Sequence, residues 1–366
     1  MRTWLILLAA VLCCGCGGKP VPASSPTPVP SSSPPVPVGD PKFTSVRPDL
    51  LEIDVRRLMR LHSSQDIGKA RDTLAEFVWG DADRLRKLRP SRTMAVQDKT
   101  YSALPEVAAV ERIEIEQEHE LRAVANHLRP RAASTGQVVI FHGGHEDVFE
   151  HRDAIRGLLA EGHSVVAMDM PLCGRNPRPM VEVPGFGPIW LLLHDQLWLL
   201  PGEGAPQRFF LGPVAAVTNH LEGKYRRIAM AGFSGGGWAT TVYSALDPRI
   251  ERSYPVAGSL PLFLRDWARE AGDREQWDPD FYRLANYLEL YVMAASGKGR
   301  RQVQMLNQYD DWSFYGVRWK IYAEPVDNLV RQLKSGGEFK VSVDTATRAH
   351  ALSPLHLQWI LEDLRS

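Results

Sequence analysis

From about Phe43 to Arg89, apolar residues fall three and four positions apart. "DLLEIDVRRLMRLH" does so regularly and "ARDTLAEFVWGDADRLRKL" less regularly, which predicts helices. After Pro105 the period shortens. "VERIEIEQEHELRAVANHL" alternates through Val110, Ile113, Ile115, Leu121, Val124 and Leu128, the pattern of two antiparallel strands. Apolar runs and helical stretches then take turns. Strands are expected at 136–141, 163–170, "YRRIAMAG", 250–258, 301–307 and 339–344. Helices fall between them, among them "FEHRDAIRGLLAEG", 210–223 and one beginning after Ser234. This alternation predicts a mostly parallel sheet covered by helices on both faces, entered through an antiparallel hairpin. No internal repeat is present.

Two stretches break the rhythm. Residues 261–298 are longer than an ordinary crossover and rich in aromatics, which predicts a small helical insertion. Residues 170–188, "MPLCGRNPRPMVEVPGFGP", form a Pro/Gly loop leaving a strand end, a place where loops cover sites. The expected division is a helical N-terminal extension over 42–107 and an α/β domain over 108–366.

The first forty residues follow another pattern. Arg2 precedes the apolar run "WLILLAAVL", which is too short to span a bilayer and has the form of a signal core. Cys13, Cys14 and Cys16 follow within "VLCCGCGGKP". This N-terminus resembles a bacterial lipoprotein signal. The resemblance implies a leader over 1–16 and a lipid-modified Cys16, with Cys13 and Cys14 as alternatives, although Cys13 stands where such signals usually carry leucine. A plain secretory leader is the other reading. Residues 17–41 are almost wholly Pro, Ser, Val and Gly, the composition of an extended, solvated spacer. The expected location is the bacterial cell envelope, with a lipid anchor in a membrane and the folded part facing the periplasm or the cell exterior.

Charge and cysteine content narrow the picture only slightly. Lys+Arg balances Asp+Glu at 43 each, so nothing suggests nucleic acid as a partner. With Cys173 the only cysteine in the body, a disulfide-stapled domain is excluded. Oligomeric state leaves no signature.

The chemistry centres on "RRIAMAGFSGGGWATT". Gly232-Phe233-Ser234-Gly235-Gly236 lies between an expected strand and an expected helix, the spacing and setting of a G-x-S-x-G nucleophile elbow. Gly232 and Gly236 are needed where a Cβ would meet neighbouring backbone, and Gly237 keeps the helix start open. A phosphate loop would need a lysine after the glycines, and a dinucleotide fingerprint would need glycine in place of Ser234. A serine nucleophile requires a base, and the base requires an orienting carboxylate. His350 lies in the loop between the last strand and a helix that Ser353 and Pro354 begin. His356 lies within that helix and is assigned to packing or solvent. Asp310 and Asp311 follow the 301–307 strand; either can serve, and the strand register favours Asp310. Gly235 offers one backbone N–H for an oxyanion, and the turn at His142-Gly143-Gly144 offers another.

Taken together, the His142-Gly143-Gly144 turn, Gly232-x-Ser234-x-Gly236, Asp310 or Asp311, and His350 resemble the α/β-hydrolase family over residues 108–366, in the family order Ser, Asp, His. The resemblance implies an α/β-hydrolase fold, Gly144 as the second oxyanion donor, a structural role for Asp169, no cofactor and an acyl substrate, most commonly a carboxylic ester. Amide and thioester cleavage or acyl transfer remain open. Trp190, Trp198, Trp238 and Trp312 lie near strand ends or in covering segments, where core packing is the first account of each. Two rival readings stand beside the hydrolase. One is a metal-dependent hydrolase built on His142, His145, Glu146, Asp147 and His151, whose spacing fits no common zinc box. The other is a non-catalytic envelope lipoprotein that uses the fold for binding.

Overall fold

A computed structural model describes residues 39–366. The expected leader and anchor, Cys13, Cys14 and Cys16 among them, and the 17–41 spacer up to residue 38 lie outside the described residues.

The described strands are β1 (Arg92–Val96), β2 (Val107–Glu116), β3 (Arg122–Pro130), β4 (Gln137–His142), β5 (Ser164–Met168), β6 (Met180–Val183), β7 (Gly187–Trp190), β8 (Arg227–Phe233), β9 (Ile250–Val256), β10 (Arg301–Asn307) and β11 (Glu338–Asp344). All but β6 and β7 form one sheet in the order β1-β2-β3-β5-β4-β8-β9-β10-β11. The β1/β2, β2/β3 and β3/β5 pairs are antiparallel, and every pair from β5 to β11 is parallel. This is the α/β-hydrolase architecture expected from the sequence, a mostly parallel sheet flanked by helices.

Strand periodicity divides the core in two. Along β4, Val138 and Ile140 join the core on one face, and Val139 and Phe141 join the other. Helices Arg208–Leu221, Gly235–Leu246, Tyr287–Ala295 and Ala323–Gln332 cover the first face, with Phe210, Trp238, Tyr291 and Val326 in its core. Helices Arg152–Ala160 and Pro354–Leu364 cover the second through Ile155, Leu158, Ile360 and Leu364. Burial on both sides explains why the parallel strands read as continuous apolar runs.

The 42–107 segment differs from a purely helical extension. Its main helix, Ser64–Trp79, starts at a Ser63 side chain that accepts from the Asp66 N–H and ends at Gly80 in the left-handed region. Beyond the short helix Arg84–Lys87 the chain becomes β1, pairing along β2 from Val110 to Glu114. β1 is an edge strand with largely exposed side chains, so burial left no alternation to detect. The 170–188 loop also holds structure. β6 and β7 form an antiparallel hairpin that buries Val181 and Val183 and turns at Gly185. Residues 261–298 comprise two 3-10 turns and helices Pro279–Leu284 and Tyr287–Ala295.

All the expected catalytic residues follow the C-terminal ends of parallel strands, where open α/β sheets place their sites. Ser234 follows β8, the Asp310 turn follows β10, His350 follows β11, and the His142-Gly143-Gly144 turn ends β4.

Candidate active site

Ser234 is the hinge between β8 and helix Gly235–Leu246, with φ 54° and ψ −118°. A non-glycine residue at positive φ is strained, and here the strain holds the hydroxyl outward. The surroundings enforce the bend. A Cβ on Gly232 would overlap the Gly236 carbonyl and the Thr240 hydroxyl, and one on Gly236 would overlap the His142 and Gly143 carbonyls. Gly237 does more than keep the helix start open: it meets Gly258, and a Cβ on either would strike the other's backbone. The Ser234 N–H donates to the Val256 carbonyl at 2.9 Å, which ties the elbow to β9.

His350 reaches the serine from the loop after β11. Its Nε2 lies 2.9 Å from Ser234 Oγ, and its Nδ1 lies 2.8 Å from Asp310 Oδ2. A carboxylate can only accept, so Nδ1 carries the proton and Nε2 turns its lone pair to the hydroxyl. Asp310 is fully buried, and its Oδ1 accepts from the Trp312 and Ser313 N–H groups, both at 2.9 Å. Asp311 instead accepts the main-chain N–H of His350 at 2.9 Å. The two aspartates thus divide the work between imidazole and backbone. Asn307 steadies the same loop through the Ala349 and Ala351 carbonyls, and the Phe233 ring packs 4.7 Å from the His350 ring. His356 is buried in the terminal helix, its ring 5.7 Å from the Trp359 ring, and its Nδ1 accepts from the Ser353 N–H at 3.3 Å.

The other half of the site is arranged differently. Gly235 is the first residue of its helix, where N–H groups lack intrahelical acceptors and point outward. Gly144 lies against the serine, since a Cβ there would sit 3.1 Å from Ser234 Cβ. Its N–H is engaged, however, donating to Glu146 Oε1 at 3.2 Å. The same carboxylate oxygen lies 2.6 Å from His151 Nε2. Burial alone would raise the Glu146 pKa, but the His151 imidazole and the Gly144 N–H outweigh it and hold the carboxyl low. A negative charge therefore occupies the oxyanion turn.

The residues of "HGGHEDVFEH" do not converge on one point. His142 is buried with Nδ1 2.8 Å from the Gly143 carbonyl, and burial lowers its pKa to about 4. Asp147 caps the following 3-10 turn, and His151 pairs with Glu146. His145 leaves the group altogether, placing Nε2 2.6 Å from Asp273 Oδ2 in the 261–298 insertion. Asp169 accepts from the Val148 N–H at 2.6 Å and the Arg175 N–H at 3.1 Å, and burial raises its pKa to about 6. It thus ties the 170–188 segment to the turn after β4.

A cavity of about 290 Å³ opens over Ser234. His145, Arg269, Glu270 and Gln276 line it together with the Trp312 and Phe314 rings, so the wall mixes polar and apolar surface. The insertion forms part of that wall and is anchored to the Asp310 loop. Glu270 pairs with Arg318 at 2.6 Å and accepts the Phe314 N–H at 2.6 Å. The four tryptophans separate by role. Trp238 is fully buried, donating to the Tyr282 hydroxyl at 2.7 Å, and Trp198 packs against the core. Trp190 and Trp312 are 58% and 70% exposed, against the core-packing account. Sequence reasoning missed Glu146 as the partner of Gly144, and the contribution of Arg269, Glu270, Asp273 and Gln276. Nothing in the local pattern marks residues that lie 35 to 42 positions after Ser234 as lining its cavity.

Comparison with known proteins bears on the fold. Scans against family models and curated proteins gave no match. Among solved structures, the chain is similar to acetyl xylan esterase 1 from Thermoanaerobacterium sp. JW/SL YS485, at 15% identity and TM-score 0.53, over 87% of this chain and 98% of that one. It is also similar to an acetyl xylan esterase from Paenibacillus sp. R4, at 15% identity and TM-score 0.52, over 87% and 99%. A third is methylesterase BT1017, at 14% identity and TM-score 0.55, over 84% and 65%. At such identities the likeness is one of fold.

Proposed function

We propose that this chain is a serine hydrolase that cleaves carboxylic esters with a short acyl group. The observation that carries the reading is the unbroken Ser234–His350–Asp310 chain, with links of 2.9 and 2.8 Å. Ser234 Oγ attacks the ester carbonyl as its proton passes to His350 Nε2. The tetrahedral intermediate collapses, and the alcohol leaves with that proton, giving the acyl-enzyme. Water then repeats the sequence, releasing the acid and restoring Ser234. Asp310 keeps His350 in the required tautomer and stabilises the imidazolium.

The Gly235 and Gly144 N–H groups hold the oxyanion, the latter once the substrate oxygen replaces Glu146 Oε1. The cavity volume of about 290 Å³ favours a short acyl group over a long chain. The solved structures similar in fold are named as esterases, which supports an ester as the bond. We also propose that Cys16 carries a lipid that tethers the enzyme to a bacterial envelope membrane, with residues 17–41 as the spacer.

Hydrolysis of p-nitrophenyl acetate and octanoate tests the assignment. The expected result is a kcat/KM at least about tenfold higher for the acetate, and a Ser234→Ala variant at background. Equal hydrolysis by Ser234→Ala would rule out the serine mechanism, and no turnover of any ester by the wild type would favour a binding role.

A further inference from the structure

His145 has a second set of neighbours that the hydrolytic chemistry does not use. His194 begins the 3-10 turn after β7, and Asp273 and Glu275 lie in the insertion. One ligand atom from each of these three and from His145 falls within 4.8 Å of all the others. Asp273 Oδ2 is 3.1 Å from His194 Nδ1 and 2.6 Å from His145 Nε2, while Glu275 Oε1 is 3.3 Å from His194 Nδ1. The two imidazole rings lie 4.8 Å apart, centroid to centroid.

The hydrogen-bond inventory of this cluster does not close. His194 Nε2 lies 2.9 Å from the Pro171 carbonyl oxygen, which can only accept, so Nε2 carries a proton. Its Nδ1 then faces two carboxylate oxygens, which also can only accept. A lone pair there is repelled, so something positive must stand between them. Glu275 is fully buried, and its Oε2 has no hydrogen-bond partner. A buried carboxylate oxygen without a donor is costly. A carbonyl fixing the remote nitrogen of a histidine is also the usual outer support of a metal ligand.

We propose that His145, His194, Asp273 and Glu275 bind a divalent transition-metal ion, with Zn²⁺ the best match to two imidazoles and two carboxylates. Tetrahedral donors at zinc distances stand about 3.3 Å apart, close to the two spacings around His194 Nδ1. The His145–Asp273 pair needs to open by about 0.7 Å to match. Four protein ligands close the coordination shell, so the ion is structural and takes no part in the acyl transfer. Its ligands come from three separate walls: the oxyanion turn, the segment after the β6–β7 hairpin, and the insertion. The ion therefore clamps these walls around the cavity. His145 lines that cavity beside Ser234, and its Cε1 would lie 3.6 Å from a Cβ on Gly235.

The test reads metal and stability, so it is independent of whether Ser234 hydrolyses anything. Purified full-length protein is dialysed against metal-free buffer, and its metal content is measured. The wild type is expected to keep about one zinc per chain, and cobalt exchange to give the visible absorption of a tetrahedral site. Glu275→Gln and the less buried Asp273→Asn should each retain under about a tenth of that zinc. Re-adding Zn²⁺ to stripped wild type should raise Tm by about 5 °C or more and leave Asp273→Asn unmoved. Wild type without metal and without a Zn²⁺ response would overturn the proposal, since a doubly protonated His194 would then hold the carboxylates. Zinc retention by both variants at the wild-type level would overturn it too, by placing the ion elsewhere.

Discussion

The two halves of the site are finished to different degrees. On the nucleophile side, Ser234, His350 and Asp310 are joined by direct hydrogen bonds, and each is braced by its own loop. On the oxyanion side, Gly144 donates to Glu146, Glu146 is held by His151, and His145 is drawn towards the insertion. The first half is set up for proton transfer without rearrangement. In the proposed mechanism the second is closed by a carboxylate that a substrate oxygen must displace. Acid–base geometry is thus built into the strand ends, whereas oxyanion binding depends on exchange with the surroundings.

The sharpest way to break this contrast is to exchange the roles of the two aspartates. Asp310→Asn should lower kcat by about 10³- to 10⁴-fold, because an amide no longer fixes the His350 tautomer. Asp311→Asn should cost only about tenfold, through a looser His350 loop. Steady-state kinetics on one short ester compares them, and equal losses would mean that the division of labour is wrong.

A smaller effect probes the oxyanion half. Glu146→Gln removes a negative charge from the place where the transition state develops one. It should raise kcat about threefold to tenfold, provided Gly144 is a donor. A fall of that size would instead make Glu146 a contributor to catalysis.

The mildest comparison concerns two buried imidazoles, His142 in the oxyanion turn and His356 beyond the His350 loop. Burial lowers both pKa values to about 4. The folded chain therefore binds fewer protons at these positions than the unfolded chain does. Their contribution is complete above the ordinary histidine value and is lost as pH falls towards 4. Asp169, raised to about 6 by burial, works the other way and favours the fold as pH falls through that value. Two groups oppose one, so the combined contribution of these three should drop by on the order of 3 kcal/mol between pH 6.5 and 4. Denaturant unfolding across that range checks the sign, and His356→Gln should flatten the slope.

Much of this arrangement was legible in the sequence. β10 occupies the expected 301–307, and local spacing set Gly232, Ser234, Gly236, Asp310 and His350 at strand ends, where Ser234, His350 and Asp310 come into hydrogen-bond contact. Parallel strands buried on both faces leave long apolar runs, so the sheet is written plainly. The edge strand β1 and the β6–β7 hairpin expose most or half of their side chains and left little trace. Glu146 could be seen beside the turn, but not its capture of the Gly144 N–H, which depends on backbone torsion. Asp273 and Glu275 belong to a segment whose visible traits were its length and its aromatic residues. Their meeting with His145 and His194 is a product of tertiary folding alone.

The central claim is that Ser234 is the nucleophile of a hydrogen-bonded catalytic unit. Intact-protein mass spectrometry after treatment with a fluorophosphonate tests it most directly. One adduct per chain is expected, located on the peptide containing Ser234, slowed strongly in Asp310→Asn and absent in Ser234→Ala. An unlabelled wild type, or an adduct that persists in Ser234→Ala, would contradict it.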